Sequence, residues 1–167
     1  DLDAAVGWNR LAIEENPQYF DAYNNLAHCL LDLGRPEEAI PLLEVALAIN
    51  PDEVGVLTNL GTAEAMRGNV DAARHRWRRA LAMDPAAFHP NKNLAILARE
   101  SGDGAGYQHH LERAATAPDA TGDVLAEWGD LLAQQGRPDE AAAAWTEAVR
   151  RGVGPEREAD LRARTAP

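Results

Sequence analysis

The sequence predicts an all-α fold, a right-handed α-solenoid of stacked helix-turn-helix repeats that extends over residues 1–167. Within short windows, apolar residues recur at intervals of three and four, which is the spacing of one helix face. Only 5% of the residues are aromatic although 46% are hydrophobic, so small aliphatic side chains supply much of the apolar content, as in closely packed helices. The strongest observation is a glycine that returns every 34 residues, as Gly34, Gly68, Gly102 and Gly136.

The same 34-residue step places other residues in register. One slot holds alanine in every copy, as Ala12, Ala46, Ala80, Ala114 and Ala148. Two slots hold large side chains, which are Leu26, Leu60, Leu94 and Trp128 in one and Leu43, Trp77, Leu111 and Trp145 in the other. A small residue follows each member of the first slot, as Ala27, Gly61, Ala95 and Gly129. A small residue beside a large one predicts helices that interlock at close range.

Each period contains two predicted helices that meet at its glycine. Gly34 suits the left-handed C-terminal cap of a first helix. Pro36 falls in the first turn of the second helix, where its missing N–H costs nothing. Prolines at positions 17, 51 and 85 then end the second helices. Each period therefore predicts a helical hairpin.

This pattern resembles the tetratricopeptide repeat family, whose motif is a 34-residue helix-turn-helix with small residues at fixed places and a closing proline. The resemblance implies a single array with a lone second helix at 2–16, repeats at 20–51, 54–85, 88–118 and 122–152, and a capping helix at 155–165. Because a repeat does not bury its apolar face alone, we expect a preceding first helix outside this sequence. The charged segment PEREADLRARTAP at the other end is typical of a solvated cap.

The repeat at 88–118 departs from the family pattern. Gly104 and Gly106 fall in its second helix, and Tyr107 stands where the other copies have alanine. A glycine inside a helix costs about 1 kcal/mol relative to alanine. We therefore expect this helix to start late or to tilt away from its partner.

Composition and charge exclude several classes of function. The net charge of −11 and the pI near 4.8 argue against a nucleic-acid partner, because phosphate binding needs concentrated Lys and Arg. Residues 1–53 hold eleven acids and two bases, whereas residues 54–121 hold seven acids and eight bases. Four of those eight bases lie in the segment RHRWRR at 74–79, which is either a solvated helix face or a patch for an acidic partner or nucleic acid.

No residue pattern predicts a cofactor, a metal or an active site. The five histidines lack metal-ligand spacing, and no nucleophile motif or phosphate-binding loop is present. Cys29, the single cysteine, cannot form an internal disulfide and is predicted to pack as a small buried thiol, which favours a reducing compartment such as the cytoplasm. No apolar run approaches the roughly 20 residues that cross a bilayer. The four tryptophans are predicted to pack in the core or between repeats, and exposure stays open as the alternative for Trp8, which lies near the N-terminal end of the array.

The candidate binding surface lies on the first helices. Asn25, Asn59 and Asn93 occupy equivalent positions, with Glu127 in the fourth copy. An amide side chain offers a donor and an acceptor, which match the backbone of an extended peptide. The resemblance to tetratricopeptide domains of the nucleocytoplasmic glycosyltransferase implies that these asparagines clamp a peptide, and the alternative is a bond to the neighbouring hairpin. Flanking candidates one helical turn away are Asn24, His28, Thr62, His89, Lys92, Ile96 and Arg99.

The sequence thus predicts a non-catalytic scaffold that binds a protein or peptide in the concave groove. A carboxylate clamp of the co-chaperone type is disfavoured, because Asn24 and His28 replace the Lys and Asn that it needs. Two alternatives stay open. The array is a self-association module that uses an N-terminal edge or convex face, or it recruits substrates for a larger enzyme.

Overall fold

The structure is a computed structural model that describes residues 1–165. These residues form ten α-helices and no strand, which confirms the predicted all-α solenoid class. Within the same residues, no helix is long and apolar enough to cross a membrane. The helices are α1 (Leu2–Glu15), α2 (Phe20–Asp32), α3 (Pro36–Ile49), α4 (Val54–Met66), α5 (Val70–Met83), α6 (Phe88–Glu100), α7 (Gly104–Thr116), α8 (Gly122–Gln134), α9 (Pro138–Arg151) and α10 (Pro155–Thr165).

The chain divides into two compact units. Unit 1, Asp1–Pro85, holds α1 followed by the hairpins α2–α3 and α4–α5. Unit 2 begins at Ala86 and holds the hairpins α6–α7 and α8–α9 followed by α10. The single array predicted across both units stays a prediction.

Each hairpin turns at the predicted glycine. Gly34 has a φ of 71°, its N–H donates to the Leu31 carbonyl at 2.9 Å, and the N–H of Arg35 donates to the Leu30 carbonyl at 2.8 Å. These two bonds satisfy carbonyls that the end of α2 would otherwise leave unpaired. The left-handed cap predicted at Gly34 is therefore confirmed, and positive φ angles recur at Gly68, Gly102 and Gly136.

Large and small side chains interlock inside the hairpins as the register predicted. Trp77 is 5% exposed, and its Nε1 donates to the Thr58 carbonyl at 3.1 Å. A Cβ atom built on Gly61 would lie 2.5 Å from that Nε1. Gly129 lies equally close to Trp145. Glycine thus stands opposite tryptophan, because no larger residue leaves room for the indole ring.

Helix α1 packs less completely than the other second helices. No residue of α1 is buried, and Trp8 is 72% exposed. Core packing is therefore wrong for Trp8, and the alternative that the sequence left open for this residue, exposure near the end of the array, is the one observed. Its neighbour Asn9 occupies the slot that holds Leu or Trp in later copies, and its Nδ2 donates to the Ala5 carbonyl at 2.9 Å instead. Cys29, by contrast, is buried as predicted.

Helix α7 begins where the 34-residue period places it, at Gly104, so the predicted late start is wrong. Asp103 caps it, because its Oδ1 accepts from the N–H of Gly106 at 2.9 Å. Both glycines therefore lie in the first turn, where the N–H groups have no intrahelical partner. The aspartate cap offsets the conformational cost of glycine at this end.

A charge network attaches α10 to the preceding hairpin. Leu161 is its one buried residue among those described. Arg157 and Arg164 both bind the carboxylate of Asp130 on α8, which also accepts from Trp145 Nε1 at 3.2 Å. The guanidinium of Arg164 also lies over the Trp145 ring, 5.3 Å from its centroid. Helix α10 is thus held by one apolar anchor and several ionic contacts.

Candidate peptide-binding surface

In unit 1, three asparagines lie on the exposed side of the first helices α2 and α4. We call Asn24, Asn25 and Asn59 the amide patch. On α2 the apolar residues Leu26 and Leu30 face inward and are buried. Asn25 is exposed, and Asn24 and Asn59 are half-buried. The patch thus stands at the boundary between the packed interior and solvent.

Two members of the amide patch bind each other. Asn59 Nδ2 donates to Asn24 Oδ1 at 2.9 Å and so joins α4 to α2. For Asn59, this is the bond to a neighbouring hairpin that the sequence offered as the alternative to a peptide clamp. The bond uses one N–H of Asn59 and one lone pair of Asn24, so the pair keeps the NH₂ of Asn24 and the Oδ1 of Asn59 for other partners. A peptide backbone requires the same combination of one donor and one acceptor.

The other candidates of unit 1 flank the patch. His28 Nε2 lies 3.8 Å from a carboxylate oxygen of Asp32, one turn further along α2, and both side chains are exposed. On α4, the hydroxyl of Thr62 donates to the carbonyl of Thr58 at 3.1 Å. The patch is therefore bordered by one ionisable pair and by a hydroxyl that bonds its own helix.

In unit 2, the candidates of α6 are of mixed chemistry. His89 is exposed, and its ring meets that of Phe88 edge to face at 5.0 Å. Lys92 Nζ lies 5.9 Å from the centroid of the same phenyl ring. Asn93 and Ile96 are half-buried on this helix. This part of the surface presents cationic and aromatic groups beside one amide.

Glu127 on α8 replaces the asparagine of the other copies and gathers two partners. Arg99 Nη1 donates to its Oε1 at 2.5 Å, and the hydroxyl of Tyr107 donates to the same oxygen at 2.8 Å. Burial, followed by this bond to a carboxylate, raises the pKa of Tyr107 to about 12. The side chain of Arg99, a predicted groove residue, is thus bound by a carboxylate of the same chain. The sequence did not predict that Tyr107 takes part in this surface. The available signal was that a tyrosine stands at a position where the other copies have alanine.

The basic segment of α5 is partly neutralised inside unit 1. Arg74 Nη1 lies 2.6 Å from a carboxylate oxygen of Asp71. Arg79 Nη2 donates to the Pro51 carbonyl at 2.8 Å and lies 3.4 Å from Asp52. These ion pairs lie on an exposed helix face, as expected if the segment 74–79 is a solvated face. Among the residues that the structure describes, no cluster of three His, Cys, Asp or Glu side chains could hold a metal ion.

Comparison with known proteins identifies the repeat. One family model described as tetratricopeptide repeat matches residues 10–60 and 31–87, and a second with the same description matches residues 126–165. The human tetratricopeptide repeat protein 8 is 28% identical over 94 residues, which are 56% of this chain and 17% of the human protein. Protein y4yS of Sinorhizobium fredii is 29% identical over 86 residues, which are 50% of this chain and 47% of that protein. The chain therefore spans less than half the length of either relative.

Solved structures share the fold. TTC0263, a thermophilic TPR protein of Thermus thermophilus, superimposes with a TM-score of 0.72 at 24% identity, over 98% of this chain and 88% of that one. MamA superimposes with a TM-score of 0.65 at 19% identity, over 96% of this chain and 92% of that one. At these identities the likeness concerns the fold alone.

Proposed function

The chain belongs to the tetratricopeptide repeat family, and on that premise we propose that it is a non-catalytic scaffold whose first helices bind an extended segment of a partner protein. Tetratricopeptide repeats generally mediate protein–protein interactions. The amide patch of unit 1 carries the proposal. A cytoplasmic location and the absence of any cofactor belong to the same proposal.

The chemistry of the patch supports contacts to a peptide backbone. Asn24 and Asn59 present a donor and an acceptor side by side, and their mutual bond at 2.9 Å limits the rotation of both amides. Asn25 adds an exposed amide one residue away from Asn24 on the same helix. Because amides are neutral and bind main-chain groups, the partner is selected by its extended shape more than by its charge.

The test uses a peptide selected from a random displayed library against the whole chain. Substitution of Asn24, Asn25 and Asn59 together by alanine removes the three amides of the patch, each worth about 0.5–1.5 kcal/mol of net hydrogen bonding. We expect the Kd to rise by about tenfold or more, measured by isothermal titration calorimetry. The control is Asn69→Ala, which removes an amide that binds Glu64 in the turn after α4. Unchanged affinity in the triple variant, with an unchanged circular dichroism spectrum, would refute the clamp.

Self-association is a second candidate function, favoured by the surface of α1. Trp8 is 72% exposed and Leu11 is 50% exposed, three residues apart on one face of the helix. Burial of both side chains against a second copy would remove a large apolar area from water. Sedimentation equilibrium of the wild-type chain and of Trp8→Gln tests this. A wild-type chain that stays monomeric at high concentration would contradict it.

A further inference from the structure

A cleft opens between the second helices α1 and α3, away from the amide patch. Its volume is about 510 Å³, within the range of about 300–1,000 Å³ that ligand pockets occupy. The floor is formed by Leu26 and Leu30 of α2, and the walls by Ile13, Pro41 and Leu42. We call this feature the α1–α3 cleft.

The cleft and the amide patch are on different sides of α2. Leu26 and Leu30, four residues apart, share the face that forms the floor of the cleft. Asn24 lies two residues before Leu26, a rotation of about 200° around the helix, and Asn25 lies one residue before it, a rotation of about 100°. None of the three amides of the patch lines the cleft.

A proline shapes one wall. Pro41 is the sixth residue of α3, which begins at Pro36, and so lies inside the helix. Proline has no N–H, so the carbonyl of Glu37, four residues earlier, loses its usual helical partner. Pro41 itself lines the cleft, so its pyrrolidine ring is a rigid apolar surface of this wall.

The rim carries excess negative charge. Three glutamates and one arginine line it: Glu14, Glu37, Glu38 and Arg10. Arg35 binds both carboxylate oxygens of Glu38, at 2.6 and 2.8 Å, and this guanidinium lowers the pKa of Glu38. Glu37 Oε1 reaches Arg67 only at 4.0 Å. Two carboxylates, those of Glu14 and Glu37, are therefore weakly compensated beside an apolar floor.

We propose that the α1–α3 cleft is a docking site for a basic partner segment, which inserts a large apolar side chain between α1 and α3 and sets Lys or Arg against Glu14 and Glu37. The charge of this part of the chain supports a cationic occupant, because residues 1–53 hold eleven acids and two bases. The floor requires an apolar side chain, since polar groups placed there would lose their hydrogen bonds to water. The site is independent of the clamp proposed above, because the two surfaces share no residue.

The probe for the test is a fluorescein-labelled 14-residue amphipathic peptide of leucine and lysine, titrated into the full chain and followed by fluorescence anisotropy. We expect binding that weakens as NaCl rises from 0.05 to 0.5 M. The variant Glu14→Gln with Glu37→Gln should raise the Kd about fivefold to tenfold, as expected for the loss of two partly exposed charge contacts. The charge-matched control is Glu15→Gln with Glu44→Gln, which removes two acids of unit 1 outside the cleft and should change the Kd less than twofold.

Methyl NMR spectra then locate the peptide. The signals of Leu26, Leu30, Leu42 and Ile13 should shift on titration, in the wild type and in Asn25→Ala with Asn59→Ala alike. The proposal is overturned if the peptide does not bind at millimolar concentration, if the cleft methyls do not shift, or if the control pair weakens binding as much as the cleft pair. It is also overturned if the free chain dimerises in sedimentation and the cleft methyls change with dilution, because the occupant is then a second copy. Loss of binding in the amide variant alone would assign the peptide to the patch instead.

Discussion

Substitution of Gly61 by alanine tests whether the size of one residue sets the spacing inside a hairpin. A Cβ atom at this position would lie 2.5 Å from Trp77 Nε1 and 3.0 Å from Cε2, where carbon contacts are ordinarily 3.5–4.0 Å. The indole ring cannot move aside cheaply, because it is 5% exposed and its N–H is bound to the Thr58 carbonyl. Overpacking of this kind costs about 1–3 kcal/mol, and we take the upper end.

Alanine also gains about 1 kcal/mol of helix propensity over glycine. The expected net effect of Gly61→Ala is therefore a loss of about 2 kcal/mol in the free energy of unfolding. For a chain of this length, that loss lowers Tm by about 4–8 °C. Circular dichroism at 222 nm during urea and thermal unfolding measures both quantities. Gly7→Ala is the control, because a Cβ at Gly7 meets nothing within 4 Å and the substitution isolates the propensity gain.

A double-mutant cycle makes the reasoning refutable. With Trp77→Leu, position 77 carries the residue that accompanies alanine in the native pairs Ala27 with Leu43 and Ala95 with Leu111. In that background Gly61→Ala should stabilise the chain by about 1 kcal/mol, so the coupling between positions 61 and 77 is about 3 kcal/mol. A coupling near zero, or a Gly61→Ala variant as stable as Gly7→Ala, would show that the glycine does not make room for the indole.

Three further predictions each concern a single feature. Gly34→Ala should destabilise the chain by about 1–2 kcal/mol, measured by urea unfolding, because φ at this turn is 71° and an L residue is strained there. Asp130→Asn should lower Tm and reduce the salt dependence of Tm, because the variant weakens the ionic contacts to Arg157 and Arg164 on α10. The pKa of Tyr107 is about 12 in the folded state, so the unfolded chain loses the phenol proton at a lower pH than the folded chain does. The free energy of unfolding therefore falls as pH rises above 10. Tyr107→Phe should make this decline shallower in thermal melts recorded over a range of pH.

The helices and their turns were predictable because they depend on local chemistry that repeats every 34 residues. Gly34 ends a helix because glycine readily adopts a left-handed backbone, and Pro36 favours the first turn of the next helix. Both preferences are local and do not depend on the tertiary structure. The start of α7 was mispredicted because glycine propensity was counted without its cap. Asp103 binds the N–H of Gly106 and compensates for the glycines locally.

The candidate site was only partly predictable because its contacts do not follow the period. Asn59 bonds Asn24 rather than the registered Asn25, across 35 residues, and side-chain conformation decides between these two neighbours. Tyr107 and Glu127 are 20 residues apart, and no repeat relation connects them. The exposure of Trp8 likewise depends on which element packs beside α1, and a local sequence pattern does not contain that information. Periodicity predicts the face on which a residue lies, and the tertiary structure selects its partner.

Electrostatics separates the two proposed sites of unit 1. A peptide bound at the amide patch contacts neutral groups such as Asn25, so its Kd should change little with salt. The rim of the α1–α3 cleft binds through Glu14 and Glu37, and the Debye length falls from about 10 Å at 0.1 M salt to about 3 Å at 1 M. Binding at the cleft should therefore weaken as the salt concentration rises, whereas binding at the patch should not. On α8 of unit 2 the registered position holds Glu127, whose Oε1 already accepts two hydrogen bonds, so the amide chemistry of unit 1 does not recur at this position.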